Sequence, residues 1–357
     1  MKRSFKPELL GTPAALALLI CCLSPRVMRS ADEAAPPMLK VAGNHLETSS
    51  GQIVHLHGVN LPSMEWGQGE NLSQSLNAAA EWGANIIRFP LSQDRWFGHS
   101  PEKTDDGVHY QTTVKDFVQS VSAKKCYVIL DLHWSDTGVW GQHISQHNMP
   151  DDNSVAFWKA VSSAFANNPA VLFDLYNEPH DVTWDVWRNG GKVMEESKRT
   201  PEKFEYDTPG MQKLLEVCRE QGASNVIVAG GLDWAYDLTG IASGYALQDT
   251  KGNGVVYDTH MYPMKTWYTN GNVRTQNWDR LVAPAAQKYP VIVGEFGNGQ
   301  DNYAGKVLEF VKQNDLAWTA WCFHPRARPC LIKDWEYTPT EFGVVVKGAL
   351  QSAASSR

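Results

Sequence analysis

Eight short apolar stretches recur along the chain, and segments with helical periodicity lie between them. The stretches occupy residues 53–60, 85–90, 126–133, 171–177, 225–230, 255–260, 290–295 and 317–321. They are rich in β-branched residues and almost continuously apolar, which is typical of parallel strands covered on both faces. Eight strand–helix units in succession predict the α/β class, and within it a single-domain (β/α)8 TIM barrel over residues 40–357.

Two of the intervening segments illustrate the helical pattern. VKDFVQSVSAKK and SVAFWKAVSSAFANN place apolar residues three and four positions apart, as one buried face of a helix requires. In the second segment, Ser154 is predicted to be the N-cap, and Asn168-Pro169 is predicted to end the helix.

The N-terminal segment has the features of a secretory signal peptide. Lys2, Arg3 and Lys6 form a basic region, and an apolar stretch follows over residues 9–23. That stretch is shorter than the roughly 20 residues of a membrane span. We therefore expect residues 1–30 to be removed, residues 31–39 to form a linker, and the protein to be secreted, extracellular or periplasmic, without stable membrane insertion. An uncleaved anchor is the alternative.

Composition narrows the range of partners. The net charge is −7 at pH 7 and there is no basic stripe, so nucleic acid is not expected to bind. The 14 tryptophans suit a site that stacks flat ligands on indole faces, and they suit core packing equally well. A monomer is expected.

Four cysteines follow the predicted signal peptide: Cys126, Cys218, Cys322 and Cys330. Disulfides are permitted outside the cytoplasm, and Cys322 and Cys330 are near enough in sequence to close one loop. Free buried thiols fit the sequence equally well. No CxxC spacing indicates zinc, and neither a metal nor a cofactor is predicted.

Polar and aromatic residues follow most of the predicted strands. Active sites of TIM barrels lie at the C-terminal ends of the strands, so these residues are expected to converge on one face. They are Asn60, Arg88, His133, Trp134, Asn177, Glu178, Asp233, Trp234, His260, Tyr262, Glu295 and Trp321.

Two carboxylates among these residues indicate a chemistry. Glu178 follows the fourth strand and Glu295 ends the seventh. A single glutamate at a strand end is more often a solvated loop acid or a salt-bridge partner. Together, the two fit the pair needed for glycoside hydrolysis, in which one carboxyl group is protonated and the other is ionised.

The neighbouring residues are assigned supporting roles. Arg88 and the hydroxyl group of Tyr262 are expected to hold Glu295 ionised, because positive charge and hydrogen bonds favour a carboxylate. His133 and His260 are expected to tune the acid or to bind hydroxyl groups.

Two further residues are expected to contact the sugar directly. Asn177 is expected to bind a sugar hydroxyl group, and Trp321 to stack on the apolar face of a pyranose ring. A structural role is the alternative for each of these residues taken singly.

Six motifs extend the argument to a family. IIRFP, DLHW, LYNEPH, THMYP, VGEFG and WTAWCF resemble, in order and register, the active-site motifs of glycoside hydrolase family 5, the cellulase family. The similarity covers about residues 40–350. The resemblance implies a retaining double displacement without a metal, with Glu178 as acid/base and Glu295 as nucleophile. It also implies carboxyl groups roughly 5–5.5 Å apart.

Two other classes of protein fit parts of the sequence. His55-Leu56-His57 resembles the HxH motif of metal-dependent amidohydrolase barrels, since residues two apart on a strand can share a metal ion. The remaining metal ligands of that class have no counterparts at the later strand ends. A catalytically inactive carbohydrate-binding barrel is the other alternative, and the presence of both glutamates argues against it.

The sugar is less well specified, because fold and catalytic pair do not separate the activities of the family. Aromatic residues along a groove favour a chain over a monosaccharide, so endo-acting cleavage of a β-1,4-glucan is predicted, with β-mannan as the closest alternative. The segment after the eighth strand is expected to cover the barrel mouth as an ordered loop. The loop aromatics expected to shape the cleft are Trp66, Trp140, Trp184, Trp187, Trp234, Trp267, Trp278 and Trp335.

Overall fold

The structure is a computed structural model that describes residues 1, 4, 35–102, 105–196, 202–263, 275–297 and 302–355. Nearly all of the predicted signal peptide, residues 31–34 of the predicted linker and Trp267 lie outside these residues, so the signal peptide and the start of the linker stay predictions. Among the helices that are described, none has the length and apolar character needed to cross a membrane.

Eight parallel strands close into a barrel, which confirms the predicted (β/α)8 fold. Strands are numbered in chain order, and the four outside the barrel form the two hairpins given below. Around the barrel the strands are β3 (His57–Asn60), β4 (Ile86–Ser92), β5 (Tyr127–Trp134), β6 (Val171–Asp174), β9 (Ile227–Gly230), β10 (Val255–Met261), β11 (Val291–Phe296) and β12 (Ala317–Ala320), and β12 pairs with β3 to complete the circle.

Helices cover the outside of the sheet. They are α1 (Leu72–Trp82), α2 (Gln93–Trp96), α3 (Val108–Ala123), α4 (Asn153–Ala164), α5 (Trp184–Asn189), α6 (Gly210–Glu220), α7 (Thr275–Leu281), α8 (Ala283–Ala286), α9 (Tyr303–Gln313) and α10 (Glu341–Ala354).

The predicted ends of α4 are wrong by a few residues. The N-cap position is Asp152, and Ser154 lies in the first turn, where its hydroxyl group donates to Gln93 Oε1 at 2.7 Å. The helix ends at Ala164, before the Asn168-Pro169 pair. Ser154 therefore serves a tertiary contact with α2, which local sequence rules do not reveal.

Two antiparallel hairpins were not predicted. β1 (Leu39–Ala42) pairs with β2 (His45–Thr48), and Leu39 and Leu46 pack into the lower barrel core, so the predicted linker ends inside a strand. β7 (Gly191–Glu196) pairs with β8 (Lys203–Thr208). The second hairpin is mostly charged and exposed and buries Val193 and Tyr206, so its sequence lacks the apolar pattern of a strand.

Side chains inside the barrel form two layers. Strand residues alternate between faces, so positions two apart point the same way. In four strands, the inward position near the bottom is aliphatic and the inward position two residues later is polar and buried. These pairs are Ile86 and Arg88, Ile129 and Asp131, Leu172 and Asp174, and Val256 and Asp258. The aliphatic layer closes the bottom of the barrel, and the polar layer supports the C-terminal end.

Candidate active site

Arg88 is fully buried at the centre of the polar layer. Its Nη1 donates to Glu295 Oε1 at 2.7 Å, and its Nη2 donates to Asn177 Oδ1 at 2.8 Å. Below them, Nη2 lies 3.1 Å from Asp131 Oδ2 and 3.0 Å from Asp174 Oδ2. Burial alone would lower the pKa of Arg88, but the surrounding carboxylates raise it well above its ordinary value. Arg88 thus positions side chains from three other strands: β5, β6 with the segment that follows it, and β11.

Glu295 lies near the C-terminal end of β11, and each of its carboxylate oxygens accepts a hydrogen bond. Arg88 Nη1 binds Oε1, and the Tyr262 hydroxyl group donates to Oε2 at 2.7 Å. Burial, followed by the negative charge of Glu295, raises the pKa of Tyr262 well above its ordinary value, so the phenol keeps its proton and donates. The structure therefore brings Glu295 together with Arg88 and Tyr262, the two residues that the sequence placed around this carboxylate.

Glu178 faces the cleft beside His260. His260 Nδ1 donates to Glu178 Oε1 at 2.9 Å. Burial raises the pKa of Glu178, but the hydrogen bond and the positive charge of His260 outweigh burial and bring it below the ordinary value. Its side chain is 17% exposed, against 6% for Glu295, so Glu178 is the more accessible carboxyl group of the pair.

His260 links the catalytic candidates to the layer below. Its Nε2 lies 3.2 Å from Asp258 Oδ2, and its Nδ1 also lies 3.8 Å from Glu295 Oε2. Burial lowers the pKa of His260, but the charges of Glu295 and Asp258 and the hydrogen bonds to Asp258 and Glu178 raise it well above the ordinary value. Both ring nitrogens therefore carry protons and donate to carboxylates.

The two glutamates lie close enough to act on one bond. One oxygen of Glu178, one of Glu295 and one ring nitrogen of His260 all lie within 4.8 Å of one another. This is also the group of the described chain whose spacing suits a metal ion. The donors of His260, Arg88 and Tyr262 already occupy these oxygens, so the group fits a metal ion poorly.

His133 and Trp321 form one wall of the cleft. Their rings are stacked at 5.4 Å between centroids and 11° between planes. His133 Nδ1 lies 2.6 Å from Asp131 Oδ2. Burial lowers the pKa of His133 to about 3, so the ring is neutral, donates from Nδ1 and keeps Nε2 as an acceptor.

Asn177 is held at both ends of its amide group. Its Oδ1 accepts from Arg88, and its Nδ2 donates to Gln146 Oε1 at 2.8 Å. Gln146 also donates to the backbone oxygen of Glu178 at 3.1 Å. Nothing in the sequence singles out Gln146, which reaches the site from the loop after β5.

Three buried aspartates under the site were also missed. Asp131, Asp174 and Asp258 each lie inside an apolar strand pattern, two to four residues before a residue that the sequence analysis selected. Burial raises the pKa of Asp131 to about 7 and raises that of Asp174 well above its ordinary value, although Arg88 opposes both shifts. The signal that could have identified them is a charged residue at an inward-facing position of an otherwise apolar strand.

The cleft above these residues has a volume of about 1450 Å³. Trp234 lies in its wall on a backbone turn in which Asp233, Trp234 and Ala235 have φ angles of 57°, 64° and 57°. Three successive left-handed residues without glycine are strained, which is typical of functional sites. The Trp234 ring stacks on His180, with centroids 3.4 Å apart.

Several tryptophans expected in the cleft lie elsewhere. Trp187 and Trp278 are buried in the core, and Trp187 donates to the backbone oxygen of Gly230 at 2.9 Å. Trp184 packs against Trp187 at 5.2 Å between ring centroids. Their long loops contain helices that bury an indole on the outside of the barrel, so the expectation for these residues is wrong.

Three other aromatic candidates, Trp66, Trp140 and Trp335, are not among the residues that line this cleft. Trp66 and Trp335 are half-buried, and each ring lies nearly perpendicular to the ring of His324, with centroids 5.6 and 4.9 Å from it. Trp140 packs on Phe97 at 5.3 Å.

The loop after β12 is ordered without a disulfide. Cys322 and Cys330 are free thiols, and both donate to the Ala327 carbonyl oxygen, at 2.9 and 3.2 Å. Cys126 and Cys218 are also free and buried. The suggested bond between Cys322 and Cys330 is therefore not formed, and the cleft wall is held by hydrogen bonds instead.

His55 and His57 lie at the opposite end of the barrel. His57 is the first residue of β3, and His55 is exposed, with Nδ1 3.1 Å from Asp315 Oδ1. Together they border a separate cavity of about 720 Å³. The HxH pair is therefore remote from the end of the barrel where the other candidates converge.

Comparison with known proteins identifies relatives. A family model described as Cellulase (glycosyl hydrolase family 5) matches residues 47–327. An endoglucanase of Microbulbifer sp. is 26% identical over 295 residues, covering 79% of this chain and 50% of the relative. The endoglucanase E-5 of Thermobifida fusca is 22% identical over 293 residues, covering 79% and 55%. The chain thus spans about half the length of these two relatives.

A mannan endo-1,4-β-mannosidase of Cellvibrio japonicus is also similar, with 24% identity over 289 residues, covering 79% of this chain and 58% of the relative. Among solved structures, a β-glucanase of Saccharophagus degradans in complex with cellotetraose has a TM-score of 0.68 at 22% identity. That likeness covers 90% of this chain and 96% of the other, and it supports the barrel fold.

Proposed function

We propose that this chain, which belongs to the cellulase family, glycosyl hydrolase family 5, hydrolyses O-glycosyl bonds and cleaves β-1,4-glucan internally by a retaining double displacement. The amidohydrolase alternative conflicts with this family membership. The observation that carries the mechanism is the approach of Glu178 and Glu295 to within 4.8 Å, oxygen to oxygen. Retaining glycosidases hold their carboxyl groups about 5–5.5 Å apart, and inverting ones hold them about 6.5–9.5 Å apart to admit a water molecule.

In the first step, Glu295 attacks the anomeric carbon of the sugar. A bond forms between that carbon and a carboxylate oxygen, and the bond from the carbon to the leaving-group oxygen breaks. Glu178 gives its proton to that oxygen. Arg88 and Tyr262 support this role, because they hold the two oxygens of Glu295 in one orientation.

In the second step, water cleaves the glycosyl–enzyme bond. Glu178, now ionised, accepts a proton from the water, whose oxygen attacks the anomeric carbon and releases Glu295. The greater exposure of Glu178 supports this role, since the group must meet both the leaving group and water.

The acid step requires a protonated Glu178, whereas His260 lowers its pKa in the free enzyme. A bound sugar would bury Glu178 further, and burial is the influence that raises the pKa of a carboxyl group. We therefore propose that substrate binding raises the pKa of Glu178, so that Glu178 becomes protonated even though His260 lies 2.9 Å away.

Four residues are assigned to the sugar that undergoes cleavage. His133 Nε2 and the Asn177 amide group would bind hydroxyl groups, and the Trp321 indole would stack on the pyranose ring. His260 would contact the substrate through its position beside both glutamates. All four line the cleft.

The glucan assignment is supported by the cleft and by the relatives. Trp234 and Trp321 both line the cleft, and two aromatic surfaces in one cleft favour a chain of sugars over a single sugar. Two curated relatives are endoglucanases, and a similar structure holds cellotetraose. The mannosidase relative keeps β-mannan as the second candidate.

The test is a substrate panel of carboxymethylcellulose, mannan, xyloglucan and laminarin, with NMR of the first-formed anomer. Cleavage of the β-1,4-glucan with retained β configuration is expected. Cleavage of mannan alone would overturn the glucan assignment, and an inverted product would overturn the mechanism. Glu295→Gln should abolish turnover and keep sugar binding; unchanged turnover would reject Glu295 as the nucleophile.

Secretion and a monomeric state are further proposals. The basic and apolar N-terminal segment supports removal of residues 1–30. N-terminal sequencing of protein recovered from the culture medium should begin near residue 31, and an intact Met1 would refute signal cleavage. Sedimentation at micromolar concentration should give the mass of one chain.

A further inference from the structure

Two cations in the cleft wall have no assigned role. Arg328 and Lys333 line the same cavity as the two glutamates. Both side chains are exposed, and within the described part of the chain neither forms an ion pair. In the same loop, Arg326 pairs with Glu70. A chain of net charge −7 therefore places two cations without a paired carboxylate in the wall of its cleft.

The loop places these cations close to the reacting groups. Pro329, next to Arg328, packs against Gly297, where an added Cβ would lie 2.2 Å from Pro329 Cγ. The same Cβ would lie 3.2 Å from Cε1 of Tyr262, which binds Glu295. Arg328 therefore precedes a proline that packs beside the tyrosine holding Glu295.

The wall that carries the cations is ordered. Cys322 N donates to the Pro329 oxygen at 2.9 Å, and Leu331 N donates to the Cys322 oxygen at 2.9 Å. Lys333 N donates to the Thr338 oxygen at 2.8 Å. The loop thus holds the backbone of both cations at fixed positions in the wall of the cleft.

One acid shares this part of the cavity. Glu341, in the first turn of α10, lines it together with Lys333. It makes no ion pair with either cation, so the positive charges are left uncompensated by the described residues.

We propose that Arg328 and Lys333 bind anionic substituents on the glycan, so that the enzyme acts on an acidic β-glucan bearing carboxylate or sulfate groups. A neutral sugar offers hydroxyl groups, which need no cation. A guanidinium group binds carboxylate and sulfate oxygens through paired hydrogen bonds. The overall negative charge repels an acidic polymer, so local cations are what admit one to the cleft. This inference rests on the proposed glucanase activity.

The test compares neutral cello-oligosaccharides with the same oligosaccharides bearing carboxymethyl groups and with a sulfated set. Arg328→Gln and Lys333→Gln are each expected to lower kcat/KM on the anionic substrates about threefold, and the double variant about tenfold, through KM. The ratio of anionic to neutral kcat/KM should fall accordingly, and Arg328→Lys should recover part of it. Arg326→Gln is the control, because that arginine is paired with Glu70 and does not line the cleft.

Ionic strength gives an independent measurement. Added salt screens exposed charges, so KM for anionic substrates should rise with salt in the wild type and lose that dependence in the double variant. Equal effects of the substitutions on neutral and anionic substrates would overturn the proposal, as would a salt-independent KM. If only one anionic set responds, that set identifies the substituent.

The neutral substrates report the glucanase activity separately. If the wild type cleaves no β-glucan, the proposed function fails, and calorimetric binding of carboxymethyl cello-oligosaccharides to Glu295→Gln still tests the cations. Equal binding with and without Arg328→Gln and Lys333→Gln in that background would reject the anion site.

Discussion

His260 Nδ1 lies 2.9 Å from Glu178 Oε1 and directs a proton toward it. Burial and His260 act in opposite directions on the pKa of Glu178, and the histidine prevails. His260→Gln keeps a polar side chain and removes the positive charge, so the pKa of Glu178 is expected to rise. Carbon-13 NMR titration of labelled glutamate, assigned with Glu178→Gln, measures it. His55→Gln at the far end of the barrel is the control; a pKa that stays constant or falls in His260→Gln would contradict the relationship.

Arg88 should be irreplaceable by lysine. A lysine keeps the charge but cannot reach Glu295, Asn177 and the aspartates below at once. Removing one partner of a buried ion cluster costs about 3–5 kcal/mol, and because lysine keeps the charge and loses only some of the contacts, Arg88→Lys is expected to lose less stability than this and about 100-fold in kcat/KM. Urea unfolding and kinetics measure the two effects.

Arg219→Lys offers a matched control for that experiment. Arg219 is also buried and binds Asp249 through two hydrogen bonds of 3.0 and 2.7 Å, outside the cleft. It should destabilise the fold and leave kcat/KM unchanged. Equal kinetic loss in both variants would show that Arg88 acts through stability alone.

A second group of buried carboxyls should make stability depend on pH. Asp151 accepts hydrogen bonds from Gln93 Nε2 and Gly138 N, both at 3.0 Å. Burial, followed by the carboxyl of Asp136, raises its pKa to about 8. Because the folded pKa exceeds the unfolded one, its stabilising contribution is complete below about pH 4 and is lost as pH rises toward 8.

Asp151→Asn should remove that dependence. The free energy of unfolding of the variant, relative to wild type, is expected to rise between pH 5 and 8, by at most about 1.4 kcal/mol per pH unit. Urea unfolding at four pH values measures it, with the exposed Asp116→Asn as control. A constant difference across the range would mean that Asp151 is already ionised at pH 5.

Trp234→Ala should weaken binding of long substrates. The ring lies in the cleft wall on a strained left-handed turn and stacks on His180. Loss of one stacking surface is expected to raise KM for cello-oligosaccharides about tenfold. Trp140→Ala, which removes a ring packed on Phe97 outside the cleft, should leave KM unchanged. Equal KM values for the two variants would place Trp234 outside the substrate path.

The sequence predicted the fold and the site where a polar residue had no packing reason to follow an apolar strand. Apolar strands that end in Asn177-Glu178 or Glu295 have no packing reason to do so, and the barrel rule assigns such ends to one face. The eight strands and the convergence of the selected residues could therefore be predicted.

The sequence was misleading where tertiary contacts decided the outcome. Trp187 and Trp278 looked like cleft residues because they follow strand ends, yet short helices bury them. The hairpin of β7 and β8 is held by Tyr206, whose hydroxyl group exchanges hydrogen bonds of 3.1 Å with Met149. Such partners are distant in sequence, and no local pattern identifies them.

The alternation of aliphatic and polar residues inside the barrel has a consequence for how the protein can vary. Ile86 and Arg88 share one strand face, so inserting a single residue between them would turn the arginine outward and a neighbour inward. The residue spacing within these strands therefore determines both the packing of the barrel and the position of the charged side chains, so an insertion of one residue would disturb both. The loops above the strands contribute to the chemistry only at single positions such as Glu178, Tyr262 and Gln146, so their other positions can change with the substrate while the barrel beneath stays the same.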